Sequence, residues 1–492
     1  MKGLAASALK KLKRADLMER RAFLGGRWVE TARTLEVIDP ATADWLMDVA
    51  ACDESHVDST VRVARDAFTI WRDMLPIKRG AVLRAWAGAI RANVDDLAVI
   101  ITAEQGKPLP EAKNEIFYGA SFIDWFAAEG ERAYGETIPS HLAGSLLSVR
   151  MQPVGVSVAI TPWNFPSAMI ARKAGAALAA GCTMIVKPAP ETPLSALALA
   201  RLAEEAGMPA GVFQVITGEA PLLAKRLLEH TEVRAFSFTG STEVGRILLA
   251  QSASTIKKTS MELGGHAPFL LFEDAALDAA VAGCMCAKFD TSGQDCLAAN
   301  RIYVQRTIYD RFVQQFAEAT AKLRVGHGLE DGTDIGPMMR PSVAEKCREH
   351  ISQALSAGAR IVVGGQRSPL GGNFITPTVL ADVTDDMLIA DEETFGPVAA
   401  IFPFEDEKDV LQRANNSEMG LAAYVYTRDL NRAMWLSDRL EYGMVAVNTS
   451  KFTGAPIPFG GWKQSGLGRE GSKYGLTEYL EPKYVCFGSI NF

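Results

Sequence analysis

Residues 155–188 read GVSVAITPWNFPSAMIARKAGAALAAGCTMIVKP, two short apolar runs separated by an alanine-rich segment with helical spacing. GVSVAIT (155–161) and CTMIVKP (182–188) are apolar almost throughout rather than alternating, the pattern of strands covered on both faces. The segment 166–180 is long enough to cross back over a sheet, so the unit predicts a βαβ crossover. The alternation continues through a helix over 194–206, VFQVITG (212–218), a helix near Leu222, VRAFSFTG (233–240) and a helix from Thr242. These units predict an α/β chain with a parallel, doubly wound sheet and ligands at the carboxyl ends of its strands.

Outward from this block, 57–129 has the spacing of amphipathic helices that pack on the sheet. Residues 133–158 combine turn formers with alternating strand residues, as a protruding hairpin would, and LTEYLEPKYVCFG (476–488) could pair with it. After Cys296 a second α/β pattern begins: RIYVQ, a helix from Ile308, ARIVVGG, AAIFPF and AAYVYT. A chain of 492 residues exceeds what one core usually organises, so two or three packed units are expected.

Composition narrows the function. With 48% apolar and 22% charged residues the chain has the make-up of a globular protein, not of a disordered one. A net charge of −7 without a basic stripe argues against nucleic acid as a partner. No run of 18 apolar residues is present, so no membrane span is expected. Seven scattered cysteines suit reduced thiols in the cytoplasm better than a disulfide framework. Cys284 and Cys286 have no histidine cluster beside them, so no metal site is implied. The basic N-terminus, with Lys10, Lys11, Lys13 and Arg14, reads as a short amphipathic helix or, alternatively, a transit peptide.

Three segments could carry chemistry. FDTSGQDCLAANRIYV (289–304) puts Cys296 in a small-residue loop just before a strand. A cysteine is usually inert, and only its company makes it a nucleophile. MELGGHAPFLLF (261–272) puts Glu262 between two strand-like runs beside a Gly-Gly turn, where a carboxylate could serve as general base or be an ordinary glutamate. AITPWNFPSAMIARKAG (159–175) ends a strand at Asn164, either an oxyanion-stabilising amide or a helix N-cap.

TPWNFP (161–166), VKPAPETP (186–193), FTGSTEVG (238–245), MELGG (261–265), GQDC (293–296), EETFGPV (392–398) and PFGGWKQSGLGRE (458–470) together resemble the aldehyde dehydrogenase superfamily, in its order and spacing, from about Arg21 onward. The resemblance implies an aldehyde dehydrogenase-like α/β fold: a doubly wound Rossmann-type cofactor domain over 1–132 and 159–272, an α/β catalytic domain over 273–462, and an oligomerisation ribbon and tail over 133–158 and 463–492. It implies oxidation of an aldehyde to an acid through a thioester on Cys296, with Glu262 as general base and the Asn164 amide and Cys296 N–H as oxyanion hole. A proton passing from the thiol towards Glu262 would activate the nucleophile. Relatives that acylate coenzyme A typically lack the glutamate, so hydrolysis is expected. A cysteine hydrolase would need a histidine partner, which no motif supplies. A non-catalytic role is opposed by the intact set of Asn164, Glu262 and Cys296. Lys173 and Glu470 match positions proposed as proton-relay partners, with surface or ion-pair roles as alternatives.

The implied cofactor is NAD or NADP. GLGREG (466–471) satisfies GxGxxG, but only 21 residues follow it, too few for the rest of a dinucleotide fold. FTGSTEVG is the better site, since a strand ends at Gly240, a helix begins near Ser241, and Gly245 lies in its first turn. Thr161, Pro162 and Trp163 end the preceding motif strand. Lys187 resembles the lysine that contacts the adenosine ribose. The glutamate that many NAD enzymes carry three residues later is Pro190 here, with Glu191 next, so NADP could be accepted. Glu393 and Phe395 match residues that hold the nicotinamide ribose and ring.

NFPSAMIARKAGAALAAGCT (164–183) and GLGREGSKYGLTEYLEPKYVCFG (466–488) are most similar to succinate-semialdehyde dehydrogenases, which implies an ω-oxo acid such as succinic semialdehyde. Arg172 and Thr453 match two of that subgroup's three carboxylate-binding positions. The third, normally arginine, is Asp290. Either Asp290 pairs with Arg172 and leaves a neutral pocket, or it receives a cationic end, as in an aminoaldehyde. Asp295, beside Cys296, is expected to raise the thiol pKa, and Ala298 stands where some relatives have a second cysteine. The small-molecule substrate aside, the expected partner is a second copy of the chain, as a homodimer or homotetramer, because the ribbon and tail would otherwise expose sheet edges.

Overall fold

The computed structural model describes residues 1–490. An eight-stranded sheet runs, edge to edge, Arg27–Val29, Ala22–Leu24, Phe213–Val215, Thr183–Lys187, Val156–Ile160, Val233–Thr239, Lys258–Glu262 and Gly466–Leu467. The five strands from Phe213–Val215 to Lys258–Glu262 are parallel, and in chain order they stand third, second, first, fourth, fifth. Strand order therefore reverses between Val156–Ile160 and Val233–Thr239, which opens a crevice at their carboxyl ends.

Helices on both faces explain the near-continuous apolar strands. Along Thr183–Lys187, Met184 and Val186 join the large core beneath helices Leu109–Glu129 and Ala168–Ala180, while Ile185 joins the core on the other face. The expected helical stretch over 57–129 is four helices, from Glu54–Asp73 to Leu109–Glu129. Among the described residues no helix is long and apolar enough to cross a membrane.

A seven-stranded sheet follows, in the order Arg360–Val363, Thr378–Ala381, Val398–Phe404, Ala299–Gln305, Ala267–Leu271, Ala422–Tyr426 and Met444–Val447, parallel except for its first pair. Its strands too alternate between two cores, with Phe269 and Leu271 on one face and Leu270 on the other. Ala267–Leu271 lies inside this sheet, so a limit at residue 272 is corrected: the chain changes sheets between Glu262 and Ala267, across the Gly-Gly turn. Both strands are short and apolar, and no local pattern tells which sheet takes which.

The protruding element is a three-stranded antiparallel sheet in which Leu480–Phe487 pairs with Leu146–Pro153 along its length and Glu136–Ile138 with the far side. Its expected limits also shift. Val156–Ile160 belongs to the eight-stranded sheet, and Gly466–Leu467 of the tail is that sheet's last strand, placed antiparallel to Met261 and Glu262. The GLGREG segment therefore builds a sheet edge beside Glu262 rather than a phosphate turn.

Candidate active site

Cys296 sits in a loop held in an uncommon backbone shape. Helix Leu277–Phe289 ends at Asp290, and Thr291, Ser292 and Gly293 follow with φ of 53°, 58° and 72°. The left-handed region is unfavourable for a β-branched threonine, so neighbours must hold it there. The Thr291 N–H donates to Glu111 Oε2 at 2.9 Å, and Ser292 Oγ accepts from the Gly336 N–H at 2.8 Å. The Gln294 side chain accepts from the Met339 N–H at 2.9 Å. The loop thus presents Cys296 to a cavity of about 1090 Å³ that Arg172, Asp290, Asp295, Lys451 and Thr453 also line.

Glu262 comes from the other sheet and lies close enough to act on the Cys296 thiol. A Cβ on Gly265 would lie 2.2 Å from the Cys296 carbonyl oxygen, so only glycine lets the two loops touch. Glu262 is buried, and among the described residues neither carboxylate oxygen has a hydrogen-bond partner. Burial, with Glu470 as a second cause, pushes its carboxyl well above the usual 4.5. The Cys296 thiol is also held well above 9.0, first by burial, then by Asp295, Glu393 and Glu262, with Arg172 acting the other way. The expected effect of Asp295 is present, and the resting thiol is neutral.

Asn164 is not a helix N-cap. Ser167 occupies that position of helix Ala168–Ala180, and Asn164 Nδ2 donates instead to the Gln294 carbonyl at 3.1 Å, two residues before Cys296. Its own carbonyl accepts from Lys107 Nζ at 2.7 Å, and Lys107 is paired with Glu115 at 2.6 Å in a buried bridge. Neither Lys107 nor Glu115 stood out in the sequence, since a pair eight residues apart on a loop and a helix has no motif.

Arg172 and Lys173 are fully buried and both contact Glu470, so surface roles are excluded. Arg172 Nη2 lies 2.8 Å from Glu470 Oε2, while Lys173 pairs with the other oxygen and donates to Ser237 Oγ at 2.9 Å. The Arg172 guanidinium stacks 3.9 Å from the Phe459 ring, and its Nε has no partner among the described residues. Of the two arrangements open for Asp290, pairing with Arg172 does not occur. Glu470 takes the arginine, and Asp290 Oδ2 accepts instead from the Cys286 thiol at 2.9 Å. Lys451 escaped the sequence reading, although it lies two residues before the expected Thr453.

The crevice at the strand reversal holds the other expected residues. Thr161, Pro162 and Trp163 follow strand Val156–Ile160, and the Thr161 N–H donates to the Lys187 carbonyl at 3.2 Å. Lys187 is buried with no ion-pair partner among the described residues, and burial pushes its ammonium down to about 8. Gly240 and Ser241 follow strand Val233–Thr239, where Ser241 Oγ caps helix Thr242–Ser252 by accepting from the Val244 N–H at 3.3 Å. A Cβ on Gly245 would lie 2.5 Å from Leu263, so that helix packs close only because a glycine is there. Phe395 meets Trp163 edge-on at 5.6 Å, and Glu393, pushed up to about 8 by burial, faces the Gly265 N–H at 3.4 Å.

Comparison with known proteins agrees with this geometry. Residues 28–485 match the model of the aldehyde dehydrogenase family. The chain is 51% identical over 480 residues to the succinate-semialdehyde dehydrogenase [NADP(+)] GabD of Escherichia coli K12, covering 97% of this chain and all of the relative. It is 51% identical over 482 residues to the 3-sulfolactaldehyde dehydrogenase of Pseudomonas putida, covering 98% and 99%. A crystal structure of an aldehyde dehydrogenase from Brucella melitensis biovar abortus 2308 superposes with a TM-score of 0.96 at 51% identity, covering 97% of this chain and 99% of that one. Motifs, sheet order, the convergence of Cys296, Glu262 and Asn164, and near full-length likeness lead to one conclusion: the chain belongs to the aldehyde dehydrogenase family.

Proposed function

We propose that this enzyme oxidises an ω-oxo acid such as succinic semialdehyde to the dicarboxylic acid, with Cys296, Glu262 and Asn164 as its catalytic residues. The observation that carries the reading is Arg172, buried in the wall of the Cys296 cavity with an unpartnered Nε, a donor suited to a substrate carboxylate. Thr453 lines the same cavity and adds a hydroxyl. The E. coli relative bears the name of a succinate-semialdehyde dehydrogenase.

Cys296 Sγ adds to the aldehyde carbon, and the new oxyanion is received by the Asn164 amide and the Cys296 N–H. Because the thiol is held neutral at rest, its proton must leave as the C–S bond forms; of the three carboxylates that act on the thiol, Asp295, Glu393 and Glu262, Glu262 is the one assigned to take it. NAD(P)⁺ held by Glu393 and Phe395 would supply the hydride acceptor through which the Cys296 thiohemiacetal becomes a thioester. Once it has released the first proton to solvent, Glu262 deprotonates the water that hydrolyses the thioester; its oxygens, without a hydrogen-bond partner among the described residues, are free to accept from that water.

The crevice fits the coenzyme. Among the described residues Thr161 and Thr239 have buried hydroxyls without partners and Lys187 makes no ion pair, and the helix capped by Ser241 begins at the carboxyl end of strand Val233–Thr239. Thr161, Pro162, Trp163, Lys187, Gly240, Ser241 and Gly245 would hold the adenosine and pyrophosphate end; Glu393 and Phe395 would hold the nicotinamide ribose and ring. Pro190 stands in place of an acid and Glu191 is paired with Arg340, an arrangement that supports acceptance of the NADP 2′-phosphate. The unit built on the eight-stranded sheet binds coenzyme, and the unit on the seven-stranded sheet contributes Cys296.

The test is reduced-nicotinamide formation from succinic semialdehyde with each coenzyme. No turnover of any ω-oxo acid would overturn the reading. Glu262→Gln is expected to slow the burst of reduced coenzyme and to lower steady turnover about 10²–10⁴-fold. An unchanged burst would confine Glu262 to the hydrolytic step. Exposed Tyr484 and Phe487 on strand Leu480–Phe487 support a homo-oligomer joined through the three-stranded ribbon, and sedimentation is expected to show dimers or tetramers. The seven free thiols support a cytoplasmic location.

A further inference from the structure

Helix Leu109–Glu129 turns one face to both halves of the candidate active site. Glu111 and Glu115 are four residues apart, so their side chains lie one above the other, about 6 Å apart along the axis. Glu111 Oε2 accepts at 2.9 Å from the Thr291 N–H, in the loop that carries Cys296. Glu115 Oε1 accepts at 2.8 and 3.1 Å from the N–H groups of Ser167 and Ala168, on the segment that carries Asn164. The other Glu115 oxygen holds Lys107 Nζ at 2.6 Å, and the same ammonium donates to the Asn164 carbonyl at 2.7 Å and lies 3.9 Å from the centre of the Phe165 ring. Lys107 stands on the turn that leads into the helix. Gly106 before it has a φ of 94°, and a Cβ on Gly336 would lie 2.2 Å from the Gly106 carbonyl oxygen. That turn is therefore pressed against the segment whose Gly336 N–H binds Ser292 Oγ in the Cys296 loop.

A buried ion pair adds little stability over apolar side chains of similar volume, because both charges must leave water. What Lys107 and Glu115 fix, by charge-assisted bonds, is the backbone from Asn164 to Ala168. Resting on the function proposed above, we propose that Lys107, Glu111 and Glu115 are positioning residues that set the spacing between the Cys296 nucleophile and the Asn164 oxyanion donor. Lys107 and Glu115 hold the amide segment, Glu111 holds the thiol loop, and the helical turn between the two glutamates links them. The oxyanion forms only as the C–S bond does, so an error in that spacing raises the barrier of the first step without weakening coenzyme binding.

The double substitution Lys107→Met/Glu115→Gln removes both charges together and releases the Asn164 carbonyl, while the new amide oxygen can still accept from Ser167 and Ala168. The burst of reduced coenzyme is expected to slow about 10- to 100-fold. Coenzyme binding and alkylation of Cys296 by iodoacetamide, which use no oxyanion donor, are expected to keep their wild-type values. Asn164→Ala is expected to slow the burst about 10²–10³-fold, and adding the double substitution to it to cause no further loss, because Lys107 and Glu115 act through Asn164. A merely structural role would multiply the losses. At the other end, burial pushes the Glu111 carboxyl up to about 8, so near neutral pH it accepts from Thr291 mostly as an uncharged group, which an amide imitates. Glu111→Gln is expected to keep a burst close to that of the wild type and Glu111→Ala to slow it. An unchanged burst in Lys107→Met/Glu115→Gln, multiplied losses in the Asn164→Ala background, or equal bursts in the two Glu111 variants would overturn this inference and leave the proposed function intact. An unslowed burst in Asn164→Ala would overturn the role of Asn164 and this inference with it.

Discussion

Replacing Cys296 with alanine is expected to lower reduced-coenzyme formation by about 10⁴-fold or more, because no other group near the aldehyde can form the covalent intermediate. Cys286, the other partly exposed thiol of the cavity, is tied to Asp290 and pushed up to about 11, first by burial, so it is no substitute. Binding of coenzyme, followed by fluorescence, is expected to persist in the variant. Residual cofactor-dependent activity of more than a few per cent would refute the assignment. The wild-type thiol carries a second, pH-dependent signature. Since burial and three carboxylates favour its neutral form, alkylation of Cys296 is expected to keep accelerating as pH rises past 9.0. Asp295→Asn removes one of those carboxylates and is expected to move the profile to lower pH.

The largest effect on stability is expected from Glu470→Gln. Glu470 compensates two buried cations at once, and removing its charge leaves Arg172 and Lys173 facing each other in the core. Losing one partner of a buried ion pair typically costs about 3–5 kcal/mol, which a shift in the denaturant midpoint would report. A change within error would mean that water or local movement screens the pair. The pH dependence follows from the same contacts. Burial alone would raise the Glu470 carboxyl, but Lys173 and Arg172 outweigh it and hold it below 4.5. A carboxyl depressed in the folded state stabilises above its unfolded pKa and loses that contribution as pH falls through the folded one. The wild type is therefore expected to lose stability in acid below about pH 4.5 more steeply than the variant, which has nothing to protonate at that position.

Much of the fold was legible because it rests on local patterns. Apolar runs such as CTMIVKP mark strands covered on both faces, and the helices between them can only cross over. The strand-ending motifs TPWNFP and FTGSTEVG lie at the carboxyl ends because each joins a strand to a helix. Cys296, Glu262 and Asn164 were legible from their motifs, but the sequence left Asn164 open between N-cap and amide donor. Ser167 at the N-cap and the contact with Gln294, 130 residues away, removed the first alternative.

The sequence by itself determined the α/β architecture and the family, and it supplied the residues proposed for the chemistry, because those depend on periodicity and short motifs. Only the tertiary structure decided which sheet receives Ala267–Leu271, that GLGREG closes a sheet edge at Glu262, and which charge answers which. Lys173 meets Glu470 across 297 residues, and Asp290 meets Cys286 rather than Arg172. Electrostatic partners are chosen by distance in a low-dielectric interior, and separation along the chain says nothing about that distance.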